Sequence, residues 1–253
     1  MSPNKAPSPP TLSLSRAWES AILMLHAERG VLVPIAGLFF FLSGVVFSLM
    51  LPVEMRTPGS ELTPDAIRGA IWPFLLSMVA LVLGHMVIVA HLLSPARPTV
   101  AEAIVIAARC LPSALALLIV LLIVVSLLGA LPLLLLWVVP FLYLIGRLAV
   151  FAPALVVGQG NNPIAAAKTS FAVTHGNGWR AAGLLVMLNL GLLFGLAVIA
   201  MAVGMILLFF GKMLGMMGVA QMLVLVIANA FQAGLLLFNV LVQSALWRQL
   251  TAG

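Results

Sequence analysis

Residues 146–180 read GRLAVFAPALVVGQGNNPIAAAKTSFAVTHGNGWR, and this stretch decides the fold. An apolar segment bearing one arginine runs out to a polar turn from Gln159 to Asn162. A short amphipathic helix follows, Gly176 stops it, and a second apolar segment opens after Trp179. The Asn162-Pro163 pair puts a capping side chain ahead of a first helical position that needs no N–H. Two apolar runs flanking a short surface helix describe a chain that reaches a membrane interface, follows it and re-enters the bilayer.

Composition supports that plan over the whole chain. Of 253 residues, 64% are hydrophobic and 7% charged, and the mean hydropathy is +1.25. Soluble chains carry about a quarter charged residues, so a water-soluble domain is excluded. Spans of about 20 residues divide the sequence, and six fit. The net charge of +6, from 12 basic and 6 acidic residues, reports orientation and anionic headgroups in such a protein. No basic cluster is interleaved with aromatic residues, so nucleic acid is not an expected partner. Cys110 is the one cysteine, which excludes an intrachain disulfide and any CxxC motif. Residues 1–12 form a proline-rich polar tail without the pattern of a signal peptide; residues 13–253 form a single integral membrane domain.

Working outward, Ser13 to Glu28 has the period of an amphipathic helix lying in the interface. Gly30 releases the chain into a first span, Val31 to Val53. Thr63-Pro64-Asp65 is a helix start, leading into a second span from Ile71 to Leu93 with a bend at Pro73. Thr99-x-x-Glu102 has the spacing of a capping box and opens a second surface helix through Arg109, closed by Pro112. Ala114 to Leu128 and Leu133 to Val157 form a tight hairpin, turned at Gly129 to Pro132, as the third and fourth spans. The third surface helix is Ile164 to His175. Ala181 to Phe210 and Val219 to Leu246, joined near Gly211-Lys212, are the fifth and sixth spans.

The expected fold class is therefore all-α: a polytopic membrane protein with six transmembrane helices and three interfacial amphipathic helices in three repeated units, at about 13–96, 97–160 and 161–250. Two spans per unit put both termini and all three surface helices on one face. Lys5, Arg16, Arg29, Arg97, Arg109, Lys168, Arg180 and Arg248 fall there, against Arg56, Arg68 and Lys212 opposite. The positive-inside rule makes the richer face cytoplasmic, which gives a multi-pass membrane protein with both termini inside.

Within the opening stretch, Arg147, Ala152-Pro153, Val156-Val157, Ala166-Ala167, Ser170, Thr174 and Gly176 form a pattern that resembles the YciC-like bacterial inner-membrane proteins. The same pattern is similar to the membrane region of some glycerophosphodiester phosphodiesterases. Gln159 stands where that pattern has an acidic residue. The resemblance covers about 35 residues closely; it implies a six-span inner-membrane protein and does not imply phosphodiesterase chemistry.

Several residues are candidates for ligand or headgroup contacts. Arg147 would lie about 15 Å below the end of a fourth span closing at Val157, and a charge at such depth costs about 2.5–3.5 kcal/mol unless it is paired or solvated. It either snorkels and packs or contacts a ligand. Gln221, Asn229, Gln232, Asn239 and Gln243 project within about 80° of one another on the sixth span, forming either interhelical hydrogen bonds or a polar groove. Arg16, Arg29, Arg109, Lys168 and Arg180 are candidate contacts for the lipid surface. His85 and His91 point about 120° apart on one helix and cannot share a metal. Gly191-x-x-x-Gly195 suggests close helix packing or contact with a second copy or another membrane protein.

All six acidic residues fall in surface helices or loops, which disfavours ion-coupled transport. No HExxH, GxSxG, Walker loop or carboxylate pair occurs, so neither a catalytic constellation nor a cofactor or metal site is expected. The leading reading is a non-enzymatic protein that engages anionic lipid in envelope or lipid homeostasis or scaffolds a partner. The alternative is a small transporter or exporter of an anionic or amphipathic solute, with Arg147 and the amide stripe along its path.

Overall fold

The computed structural model describes residues 12–56, 61, 63–95, 97–129, 134–158 and 162–252. Its elements are α1 (Leu14–Ala36), a π-helical segment (Gly37–Leu42), α2 (Ser43–Met50), α3 (Val53–Arg56), α4 (Pro64–Leu93), α5 (Val100–Gly129), α6 (Leu134–Arg147), α7 (Phe151–Val157), α8 (Pro163–Val173), α9 (Gly178–Met213) and α10 (Met217–Thr251). Among the described residues, six stretches are long and apolar enough to cross a membrane: Leu14–Met50, Pro64–Leu93, Val100–Leu127, Val138–Val157, Gly178–Met213 and Met217–Thr251. The chain is an all-α polytopic membrane protein.

Helix starts follow the capping residues. Thr63 Oγ1 accepts from the Ala66 amide at 3.2 Å. Glu102 takes both the amide and the hydroxyl of Thr99, at 2.8 and 2.9 Å, while the Thr99 hydroxyl accepts weakly from the Glu102 amide, the reciprocal arrangement of a capping box. Asn162 Oδ1 accepts from Ile164 and Ala165. Two glycines with positive φ end helices: Gly176 (φ 76°) follows α8 and Gly215 (φ 68°) turns α9 into α10, a backbone region open to glycine at little cost.

One end of the bundle gathers elements distant in sequence. The Leu12 amide donates to Asn177 Oδ1 and the Ser13 amide to Gln249 Oε1. Arg248 Nη2 donates to the Leu92 carbonyl at 2.7 Å. His91 reaches the Pro98 carbonyl through Nδ1 and Glu28 through Nε2. The stretch before Glu28 is thus tied to this end at both of its own ends, and it buries Ala17, Ala21 and Met24 one turn apart. Such a segment runs along the end of the bundle, as an interfacial helix does.

The interfacial helix and the first span meet at a kink, where the Glu28 backbone (φ −115°, ψ 16°) leaves helical values before the chain turns inward. In three places the helices run differently from the sequence reading. α5 runs unbroken through Pro112, where the sequence reading closes a surface helix. A proline removes one hydrogen bond, whereas unwinding in lipid would orphan several groups with no water to receive them. The α9–α10 turn falls at 214–216 instead of at Gly211-Lys212. Most important, the fourth span does not reach Val157 as one helix: α6 ends at Arg147 and α7 begins at Phe151. Residues 1–11 of the N-terminal tail and most of the turns expected at Gly129 to Pro132 and Gln159 to Asn162 lie outside the described residues, while Leu12, the last residue of the tail, is buried.

Side-specific thiol labelling of membrane vesicles checks this arrangement. In a Cys110→Ser background, single cysteines replacing Arg16, Lys168 and Thr251 are expected to react from one side, and those replacing Asp65 and Lys212 from the other. A split within either group would refute it.

Candidate functional site

Pro153 determines where α6 must stop. In a continuous helix its ring would meet the carbonyl four residues back, at Ala149, and its missing N–H would break the ladder. Restarting the helix at Phe151 places Pro153 in a first turn, where neither problem arises. The Phe151 amide accordingly bonds to Leu148 O at 3.0 Å in place of Arg147 O. The Arg147 carbonyl accepts instead from Ser170 Oγ at 2.7 Å, while Thr174 Oγ1, whose one proton is shared with the nearer Ser170 carbonyl at 2.7 Å, stands 3.3 Å away. Both hydroxyl residues have zero exposure. They come from α8 and its C-cap, one helical turn apart, so the surface helix seals the broken span.

The Arg147 side chain is 8% exposed. Its guanidinium lies 5.0 Å from the Phe171 ring centroid and 5.8 Å from that of Tyr143, within cation–π range. Among the described residues no acidic group pairs with it, and its Nε is buried without a hydrogen-bond partner. Its position at the C-terminus of α6 is favoured by the helix dipole. Glycines allow the close fit. A Cβ on Gly146 would collide with the Gly178 carbonyl and Ala182, and one on Gly178 would sit 2.8 Å from Arg147 Cδ and 3.0 Å from Tyr143 Cε2. Arg147 is therefore level with the first residue of α9, at the end where Asn177 binds Leu12. The expected depth of about 15 Å does not apply, because the helix that implied it stops at the arginine.

The amide stripe of α10 divides. Asn229, at one edge, donates to Leu225 O at 2.9 Å and to Ser48 Oγ at 3.4 Å, against Gly44 of α2. Asn239, toward the other edge, donates to Asn189 of α9 at 2.8 Å and accepts from Gln243 at 3.2 Å. Gln221 and Gln232 are exposed. The angular spread of the stripe was enough for its two edges to meet different neighbours.

Asn239 and Gln243 line a cavity of about 400 Å³. Around it stand His85 and Met86 of α4, Ala114, Leu117 and Leu121 of α5, Ile145 of α6, and Phe40 of the π-helical segment. Leu148, Ala149, Phe151 and Ala152 close one side, so the break after Arg147 shapes the wall. His85 faces this cavity while His91 holds Glu28 and Pro98. Arg147 is not among the lining residues. The arginine and the amides, grouped by sequence as one candidate path, are not brought together.

The candidate surface residues Arg16, Arg29, Arg109, Lys168 and Arg180 are all exposed. α8 buries Ala166 and Ser170 and turns Ile164 outward beside Lys168. Among the described residues, a side chain at Gly191 or Gly195 would meet nothing within 4 Å, so the close packing suggested by that motif is not seen there. The close glycine contacts are elsewhere, at Gly44 against Asn229 and Gly84 against Phe39 and Phe40. The roles of His85, Asn189, Ser170 and Thr174 depend on partners far away in sequence. The only available signal was their placement as lone polar groups in apolar or small-residue surroundings. Comparison with protein-family models, curated proteins and solved structures gives no match.

Replacing Ser170 with Ala and Thr174 with Val together is expected to destabilise the protein by about 1–3 kcal/mol, because a buried carbonyl loses its partners. Thermal unfolding in detergent measures this. Gly146→Ala should lower the midpoint clearly, whereas Gly191→Ala, which meets open space, should leave it near the parent value.

Proposed function

We propose that this chain is a non-enzymatic inner-membrane protein of the YciC-like type whose basic end engages anionic lipid headgroups, in envelope or lipid homeostasis or as a scaffold for a partner. One observation carries the reading. The end tied together by Leu12, Asn177, Arg248 and His91 holds Arg16, Arg29, Arg97, Arg109, Arg147, Lys168, Arg180 and Arg248 against Glu19, Glu28 and Glu102. At the other end Arg56, Arg68 and Lys212 are matched by Glu54, Glu61 and Asp65. The imbalance sits beside half-exposed Trp18 and Trp179 and the outward Ile164, the aromatic and apolar groups that anchor a surface at headgroup level.

The charge bias favours a cytoplasmic location for this end. Transport of an anionic solute is the weaker reading, since it needs Arg147 and the amides on one path, and Arg147 does not line the cavity that Asn239 and Gln243 share.

In nanodiscs of mixed phosphatidylglycerol and phosphatidylcholine, native mass spectrometry is expected to show preferential retention of phosphatidylglycerol. Replacing Arg16, Arg29, Lys168 and Arg180 with Gln should abolish that preference, at about 1 kcal/mol for each cation near the surface. Equal retention of the two lipids by the parent protein would refute the reading.

A further inference from the structure

We propose that the cavity between α4, α5 and α10 is a binding site for an uncharged amphiphile of the diacylglycerol class, held by its hydroxyl group at His85 with its chains along the apolar wall. The volume of about 400 Å³ lies within the range of about 300–1,000 Å³ usual for small-molecule sites, which are largely apolar with a few convergent polar groups. Here the polar groups are His85, Asn239 and Gln243.

Their hydrogen bonding is uneven. Gln243 donates to Asn239, which donates to Asn189. Gln243 also stands beside the imidazole of His85, yet His85 Nε2 is buried without a partner at hydrogen-bonding geometry. An unpaired polar atom in apolar surroundings is costly. A hydroxyl satisfies it in either tautomer, by accepting from Nε2–H or by donating to its lone pair.

The charge pattern selects against phosphate. No charged side chain lines the cavity among the described residues. Arg147 is adjacent in sequence to Leu148 of the wall but turns its guanidinium to Phe171 and Tyr143. A phosphate drawn inside would lose water with no cation to replace it. The cavity and the basic end therefore take different lipids, and this inference goes beyond the surface reading above.

The test uses the full chain, delipidated in detergent and titrated with dioleoylglycerol and with dioleoylphosphatidic acid, which has the same chains plus a phosphate. Native mass spectrometry reads occupancy. Dioleoylglycerol is expected to bind, and His85→Phe to weaken it about tenfold through loss of the hydrogen bond. Leu117→Trp, which fills the cavity, should abolish binding; His85→Gln should largely retain it. The surface variant Lys168→Gln/Arg180→Gln should leave it unchanged. Circular dichroism and thermal unfolding identify any variant that fails to fold, and the comparison rests on those that fold. Three results would overturn the proposal: no binding of dioleoylglycerol, binding that survives both Leu117→Trp and His85→Phe, or phosphatidic acid binding equally well and being lost with Leu117→Trp.

Discussion

The Arg147 carbonyl, abandoned by its own helix and held by the Ser170 hydroxyl of another with Thr174 beside it, is the constraint on which the architecture rests. Buried backbone groups must be satisfied within the protein. A helix can be interrupted at a buried site only if something else supplies the missing donor, and α8 supplies it through Ser170. With that substitution in place, α7 can leave the line of α6 and bury every residue from Phe151 to Val156. The surface helix is thus a structural part of the span it covers, and the sequence pattern of small and hydroxyl residues in α8 is a record of that contact.

A division of electrostatic labour follows. Unbalanced cations are gathered at one end, where water and headgroups keep their desolvation cost low. Among the described residues, the polar side chains of the interior are amides, hydroxyls, an imidazole and the Cys110 thiol. Arg147 marks the boundary between these regions. It is buried by aromatic rings and the small residues Gly146 and Gly178, yet it remains at the end of the bundle. Its surroundings suit a delocalised, weakly hydrated guanidinium better than a lysine ammonium.

Fold class was legible from the sequence because it depends on local quantities: run length, hydropathy and capping side chains such as Thr63, Thr99 with Glu102, and Asn162. The course of single helices was less so. Among the described residues, five prolines beyond the first helical position lie within helices, at positions 34, 73, 112, 140 and 153, yet the chain breaks next to only one. What distinguishes Pro153 is the presence of hydroxyls about twenty residues later, a tertiary fact. The α10 amide stripe was similarly correct in angle and incomplete in meaning, because helical periodicity gives direction without naming the neighbour. Glycines show the same limit. Gly191 and Gly195 had the recognisable spacing and open surroundings, while Gly44, Gly84, Gly146 and Gly178 had no motif and close contacts.

The π-helical segment at Gly37–Leu42 has a consequence for how one span serves two neighbourhoods. An α-helix advances about 100° per residue, and the wider π-turn accommodates one more residue than an α-turn. The two halves of the first span consequently run out of phase. The upstream half presents Leu32, Ile35 and Ala36 to the core, and Phe40 reaches the cavity wall. The downstream half aims Gly44 and Ser48 at Asn229. The segment acts as a phase adapter, letting one continuous rod read two incompatible surfaces, and the length of the chain through it carries as much specificity as the side chains it bears.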